Sequence, residues 1–91
     1  MTTAIVLIEA ERDSLTTLGG ALADLDGVAE AWSVTGDWDY VAIVRVSRHE
    51  QLAEVITGRL VTLPGVTRTQ TMVAFEVFSR HDLEAMFSIG G

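Results

Sequence analysis

Apolar and polar positions along this 91-residue chain alternate between a strand period and a helix period. Thr3 to Glu9 ("TAIVLIE") is short and rich in β-branched residues, which predicts a strand. Asp13 or Ser14 can cap a helix after it, and Leu15, Leu18, Leu22 and Leu25 then recur at steps that put them on one helical face. Gly19 and Gly20 sit inside that helix, where each weakens it by roughly 1 kcal/mol; close packing would explain them. Asp26-Gly27 ends the helix. Val28 to Thr35 alternates as a second strand, Gly36 to Trp38 makes a turn, and Asp39 to Ser47 ("DYVAIVRVS") is a third β-rich run. Ser47-Arg48-His49-Glu50 has the form of a capping box, and Leu52, Val55, Ile56, Leu60 and Leu63 form the next helical stripe. The only proline, Pro64, ends that helix together with Gly65. Val66 to Phe78 predicts a long fourth strand. Ser79-Arg80-His81-Asp82 resembles a second capping box and opens a short helix through about Phe87.

The predicted order is β-α-β-β-α-β. "LDGV" at 25–28 matches "LPGV" at 63–66, each leading into a strand, so the chain reads as two βαβ halves joined by a tight turn. That arrangement gives an α+β, ferredoxin-like βαββαβ sandwich: a four-stranded antiparallel sheet with both helices on one face. Residues 1–78 form this domain, and 79–91 add a short C-terminal helix and tail.

The second face of the sheet then needs a cover. On the first strand Ala4, Val6 and Ile8 alternate with Ile5 and Leu7; on the third, Tyr40, Ala42, Val44 and Val46 alternate with Val41 and Ile43. Both faces are apolar at the centre, whereas a sheet with one wet face shows polar residues there. The simplest cover is the sheet of a second copy, a symmetric dimer packed sheet to sheet. The alternative is the C-terminal helix folded back over it.

Composition sharpens this picture. The chain is 48% hydrophobic, more than one small core needs, which again points to oligomerisation. Its net charge is −7, and its six Lys and Arg residues do not cluster. Phosphate contacts supply most nucleic-acid affinity, so direct binding of DNA or RNA is disfavoured, as is an anionic membrane surface. There are no cysteines, which excludes disulfides, thiolate catalysis and zinc-thiolate sites. No signal-like start and no apolar run near the ~18 residues of a spanning helix occur, so a cytoplasmic protein is expected.

The inventory for catalysis is thin. His49 and His81 each fall in the first turn of a predicted helix beside an acid, the setting of a solvated residue rather than a ligand or base. "LGGALADL" reads as helix interior and not as a phosphate-binding loop. No catalytic residue, metal ligand or cofactor is assigned. One stretch stands apart: "SVTGDWDY", residues 33–40, in which a second acid and two aromatic residues crowd a turn that needs only Gly36 and Asp37. Alternate residues of a strand share a face, so at this strand junction Asp37 and Asp39 could point to the same side and receive an ammonium group, with nearby N–H groups for a carboxylate. The plainer alternative is a tight turn with a packed Trp.

"LDGVAEAWSVTGDWDYVAIVRV" followed by "LPGVTRTQTMVAFEV" resembles the effector-binding (RAM) domain of the Lrp/AsnC transcriptional regulators. Val34, Gly36 and Asp39 fit that family's V-x-G-x-x-D turn. Pro64, Gly65, Val66, Thr69 and Thr71 fit its lead-in to the fourth strand. The resemblance covers about residues 3–78. It implies a domain that dimerises through its sheets, dimers that assemble into rings (commonly octamers), and an amino acid or related molecule bound where dimers meet. It implies an effector site of Gly36, Asp37, Trp38 and Asp39 with Thr69, Thr71 and Met72. Asp39 matches the family acid that influences effector response, and Trp38 falls at a variable position. The family's helix-turn-helix domain has no counterpart before the first strand, so the chain looks like a stand-alone effector domain. It would act without direct DNA contact, by co-assembling with full-length relatives or by buffering a metabolite.

Three functions are therefore set against each other. The first is a non-catalytic small-molecule-sensing oligomerisation domain. The second is a dimeric α+β barrel enzyme of the small-monooxygenase type, using Trp32 and Arg45 in a cleft between helices and sheet. The third is a ligand-free interaction module in which "GDWDY" makes a ring contact.

Overall fold

Alternation in the apolar runs becomes burial in the strands they form. The computed structural model describes residues 1–78 and 80. Its elements are β1 (Thr2–Ala10), α1 (Leu18–Ala23), β2 (Val28–Ser33), β3 (Tyr40–Val46), α2 (Gln51–Val55) and β4 (Val66–Val73). A 3-10 turn, Arg12–Ser14, precedes α1, and α2 continues into a π-helical turn, Ile56–Leu60. The sheet order is β2-β3-β1-β4 with every neighbouring pair antiparallel, the ferredoxin-like α+β arrangement expected from the pattern.

Ala4, Val6 and Ile8 of β1 and Tyr40, Ala42, Val44 and Val46 of β3 are buried, in one cluster with Leu18 and Leu22 of α1 and with Leu52, Val55, Ile56 and Leu60. Both apolar helical stripes thus pack on one face. Ile5 pairs with Ile43 and Leu7 with Val41 on the opposite face, where all four are half-buried. Trp32 and Met72 extend that face outward, 51% and 42% exposed.

Several boundaries differ from expectation, each for a local reason. The first helix starts at Leu18, not beside Asp13 or Ser14. Leu15 is exposed, and its carbonyl accepts the hydroxyl of buried Tyr40 at 2.6 Å, so residues 15–17 form a turn instead of a first helical turn. Gly19 makes room for that ring: a Cβ there would lie 3.1 Å from Tyr40 Cε1, whereas Gly20 has nothing within 4 Å. The capping box of the second helix is displaced by one residue. It is Gln51 whose Oε1 reaches back to accept the Arg48 N–H, at 3.0 Å. β4 ends at Val73 rather than Phe78 because β1, its only neighbour among the described residues, begins at Thr2. Ala74 still donates to the Thr3 carbonyl at 2.8 Å, and then the ladder runs out. Phe75 and Phe78 stand exposed beyond it. The expected helix from Ser79 to about Phe87 falls, apart from Arg80, outside the described residues.

The internal repeat is structural. Gly27 and Gly65 share φ 97°. After each, the following valine N–H bonds back to a leucine carbonyl, Val28 to Leu25 at 3.1 Å and Val66 to Leu63 at 3.2 Å. A side chain at Gly27 would strike Val55, and one at Gly65 would strike Ser14, so each turn fits against the body of the domain.

Candidate functional site

The segment between β2 and β3 is irregular from Val34 to Asp39, so strand alternation does not govern where its acids point. Gly36 adopts φ 107°, a region that side-chain-bearing residues avoid, and has open space around it. Its role is conformational. Val34 N–H donates to the Asp39 carbonyl at 3.0 Å and closes the turn.

Asp39 fastens this turn to the end of β1. Its N–H donates to the Ile8 carbonyl at 2.9 Å, and its carboxylate Oδ2 accepts the Ala10 N–H at 2.8 Å. The β1–β3 ladder ends at the pair Ile8 and Tyr40, and the Ala10 N–H points to the same side of β1 as the Ile8 carbonyl, so it is left in need of an acceptor. A carboxylate accepting a backbone N–H forms a strong, charge-assisted bond. The second acid of "GDWD" is thus explained in part by the fold: one Asp39 oxygen is already in use, while Asp37 is exposed.

Trp38 is half-buried and meets β4. The Arg68 guanidinium carbon lies 4.4 Å from the Trp38 ring centroid, within cation–π range. Arg68 also faces Glu9 at 3.5 Å. Thr67 Oγ1 donates to the Glu9 carbonyl at 3.0 Å, tying the same corner together. The sequence pattern did not single out Glu9, Thr67 or Arg68. The available signal was the alternation of "TRTQTM", which puts Arg68, Gln70 and Met72 on one face, with Arg68 across from Glu9.

The expected β4 members separate. Thr69 pairs with Ile8 next to the turn; Thr71 pairs with Val6, farther along the helix-side face; Met72 pairs with Ile5 on the opposite face. Gly36, Asp37, Trp38 and Asp39 are together, Thr69 is one strand away, and Thr71 and Met72 diverge. Trp32 and Arg45, the residues of the enzyme alternative, lie on the face away from the helices: Trp32 pairs with Val41 and Arg45 with Thr3. The Trp32 indole donates to Glu30 at 3.0 Å, so it does not sit in a cleft between helices and sheet. Among the described residues no group of three or more His, Cys, Asp or Glu could hold a metal ion. None of the described helices is long and apolar enough to cross a membrane.

A family model of the Lrp/AsnC ligand binding domain matches residues 3–83. An uncharacterized HTH-type transcriptional regulator of Pyrococcus abyssi is 35% identical over 78 residues, covering 82% of this chain and 52% of the relative. The crystal structure of TTHA0845 from Thermus thermophilus is 45% identical with TM-score 0.81, over 88% of this chain and 100% of that one. The feast or famine regulatory protein of Mycobacterium tuberculosis, complexed with L-methionine, is 25% identical with TM-score 0.64, over 87% of this chain and 53% of that one. This chain spans about half the length of the curated relatives it matches. The chain belongs to the Lrp/AsnC family, whose ligand-binding domain it matches.

Proposed function

We propose that this chain is an effector-binding and oligomerisation domain that takes an amino acid or related small molecule at the turn Gly36–Asp39 and acts without touching DNA itself. The match of residues 3–83 to a ligand binding domain carries the reading. L-methionine in the complex of the Mycobacterium tuberculosis relative suggests the class of effector. The turn suits such a ligand. Gly36 and Asp39 hold its shape, and Asp37 remains exposed to meet an ammonium group. Trp38 and Arg68 offer an apolar plane and a carboxylate partner beside it. Thr69 supports the turn from the neighbouring strand, while Thr71 and Met72 serve contacts with other copies. Two copies pack sheet to sheet over Ile5, Leu7, Val41 and Ile43, and dimers join into a ring, an octamer in this proposal. The net charge of −7 argues against phosphate contacts, so any effect on transcription passes through full-length relatives. No catalytic step is part of the proposal.

A thermal-melt panel with each of the twenty amino acids tests it. A ligand that binds only the folded state at ~100 times its Kd adds about 2.7 kcal/mol. In a domain of this size that raises Tm by roughly 10 °C or more. A responder in the wild type that fails to shift Trp38→Ala supports the site. A flat panel removes the amino-acid reading and favours the interaction module, in which Trp38, Arg68 and Glu9 form a ring contact.

A further inference from the structure

The sheet has two edges, and they are finished differently. β2 is six residues long, and its pairing with β3 shifts register between Val28 and Glu30, so its edge is short and interrupted. β4 carries an irregularity only before Arg68, where the pairing shifts between Glu9 and Ala10. From Thr69 to Phe78 the chain holds no proline and no lysine to guard the edge, and it is rich in the Thr, Val and Phe that favour strands. No strand lies on the outer side of β4 among the described residues. The Ala74 N–H donates to the Thr3 carbonyl at 2.8 Å. Alternation then turns the backbone groups of Arg68, Gln70 and Met72 toward β1, and those of Thr69, Thr71 and Val73 outward.

The chain past the ladder supplies a second observation. β4 stops at Val73, yet the strand-forming pattern runs on to Phe78. Phe75 is 98% exposed and Phe78 82%. An apolar strand-forming segment without a ladder and a ladder edge without a strand complement each other, and each copy of the chain carries both.

Charge selects the register. Two copies related by a two-fold axis can pair β4 to β4 antiparallel. Centred on Met72, the pairing sets Thr69 opposite the partner's Phe75 and Thr71 opposite the partner's Val73, so that outward backbone groups meet. Threonine beside an aromatic ring is a favourable cross-strand pair. The same register sets Arg68 opposite the partner's Glu76. Centring on Arg68 or on Ala74 would instead set Arg68 against its own copy or against the partner's Arg80, and like charges directly opposite are destabilising. The remaining centres between them leave Arg68 opposite an uncharged residue.

We propose that the free edge of β4 docks a second copy of this chain, antiparallel and centred on Met72, with Ala74–Phe78 of each copy extending along β4 of the other. This deepens the proposed contacts of Thr71 and Met72 with other copies and rests on that reading. It uses an edge, whereas packing over Ile5, Leu7, Val41 and Ile43 uses a face. Arg68 lies over the Trp38 ring, so the partner's Glu76 joins the corner where the turn stands.

Disulfide trapping tests the register. The chain has no cysteine, so each variant carries a single thiol. Residues directly opposite in a non-hydrogen-bonded antiparallel pair have Cα atoms about 4.5 Å apart, within reach of a disulfide. Sheets packed face to face stand about 10 Å apart, beyond that reach. Met72→Cys under mild oxidation should form a covalent dimer roughly tenfold faster than Gln70→Cys, an exposed neighbour on the same face whose copy would stand more than about 7 Å away. In dilute protein, Arg68→Glu and Glu76→Arg should each slow trapping of Met72→Cys several-fold, and the two together should restore it. Equal rates at the two cysteine positions, or a double charge reversal that restores nothing, would overturn the proposal. A dimer mass in sedimentation with no trapping of Met72→Cys would overturn the edge pairing and leave the face-to-face packing standing.

Discussion

The turn and the free edge of β4 are built from different kinds of information. The turn Val34–Asp39 is a continuous stretch whose own atoms close it, and Asp39 then ties it to Ala10. The edge of β4 turns the backbone groups of Thr69, Thr71 and Val73 outward, with no strand beside them among the described residues. The first is readable as a motif in one line of sequence. The second exists only once β1 has taken the other side of β4. A linear motif reports on local geometry, while an open edge is a product of topology and leaves no motif in the chain.

Substitutions at the turn should disturb the fold more than those along β4. The largest effect is expected from Asp39→Ala, which strands the Ala10 N–H and frees the turn from β1. An unsatisfied backbone donor and a lost charge-assisted bond together amount to about 2 kcal/mol, or roughly 10 °C in Tm by calorimetry. If effector binding fails while Tm and the mass in solution stay unchanged, the tether account of Asp39 is wrong and the carboxylate acts on the ligand instead.

Gly36→Val comes next. Its φ of 107° strains a β-branched residue by about 1–3 kcal/mol, and the open space around it means that no clash adds to this. Denaturant unfolding reads the loss. Gly36→Asn, which tolerates positive φ better, should recover part of it. Tyr40→Phe should lose about 1 kcal/mol, because the Leu15 carbonyl loses its 2.6 Å donor at the start of α1. Chemical denaturation should detect it, with circular dichroism otherwise unchanged. Arg68→Ala should change stability by under about 1 kcal/mol, since its partners, the Trp38 ring and Glu9, hold it at the surface. Its readout is the tryptophan emission spectrum, where loss of the stacked guanidinium should shift the Trp38 component against that of Trp32.

The framework of this domain was legible because burial writes a period into the chain. Leu18, Leu22, Leu52, Val55, Ile56 and Leu60 announced both helical stripes, and Ala4, Val6 and Ile8 announced the inner face of β1. The positive φ of Gly36 followed from its place in a turn. The ends of elements were less legible, because they depend on partners. β4 stops where β1 runs out, and α1 starts late where Tyr40 bonds Leu15. At the site, the sequence marked Asp39 but not its bond to Ala10, which arises where the β1–β3 ladder ends at Tyr40. Arg68 was passed over because it stands just before the motif residue Thr69, facing the other way.

The central claim is that the turn receives an amino acid, and amide shift mapping of the 15N-labelled chain titrated with L-methionine and then the remaining nineteen tests it most directly. The account predicts saturable shifts centred on Gly36, Asp37, Trp38, Asp39 and Arg68 for at least one of them. Saturable shifts centred elsewhere, or none for any of the twenty, would contradict it.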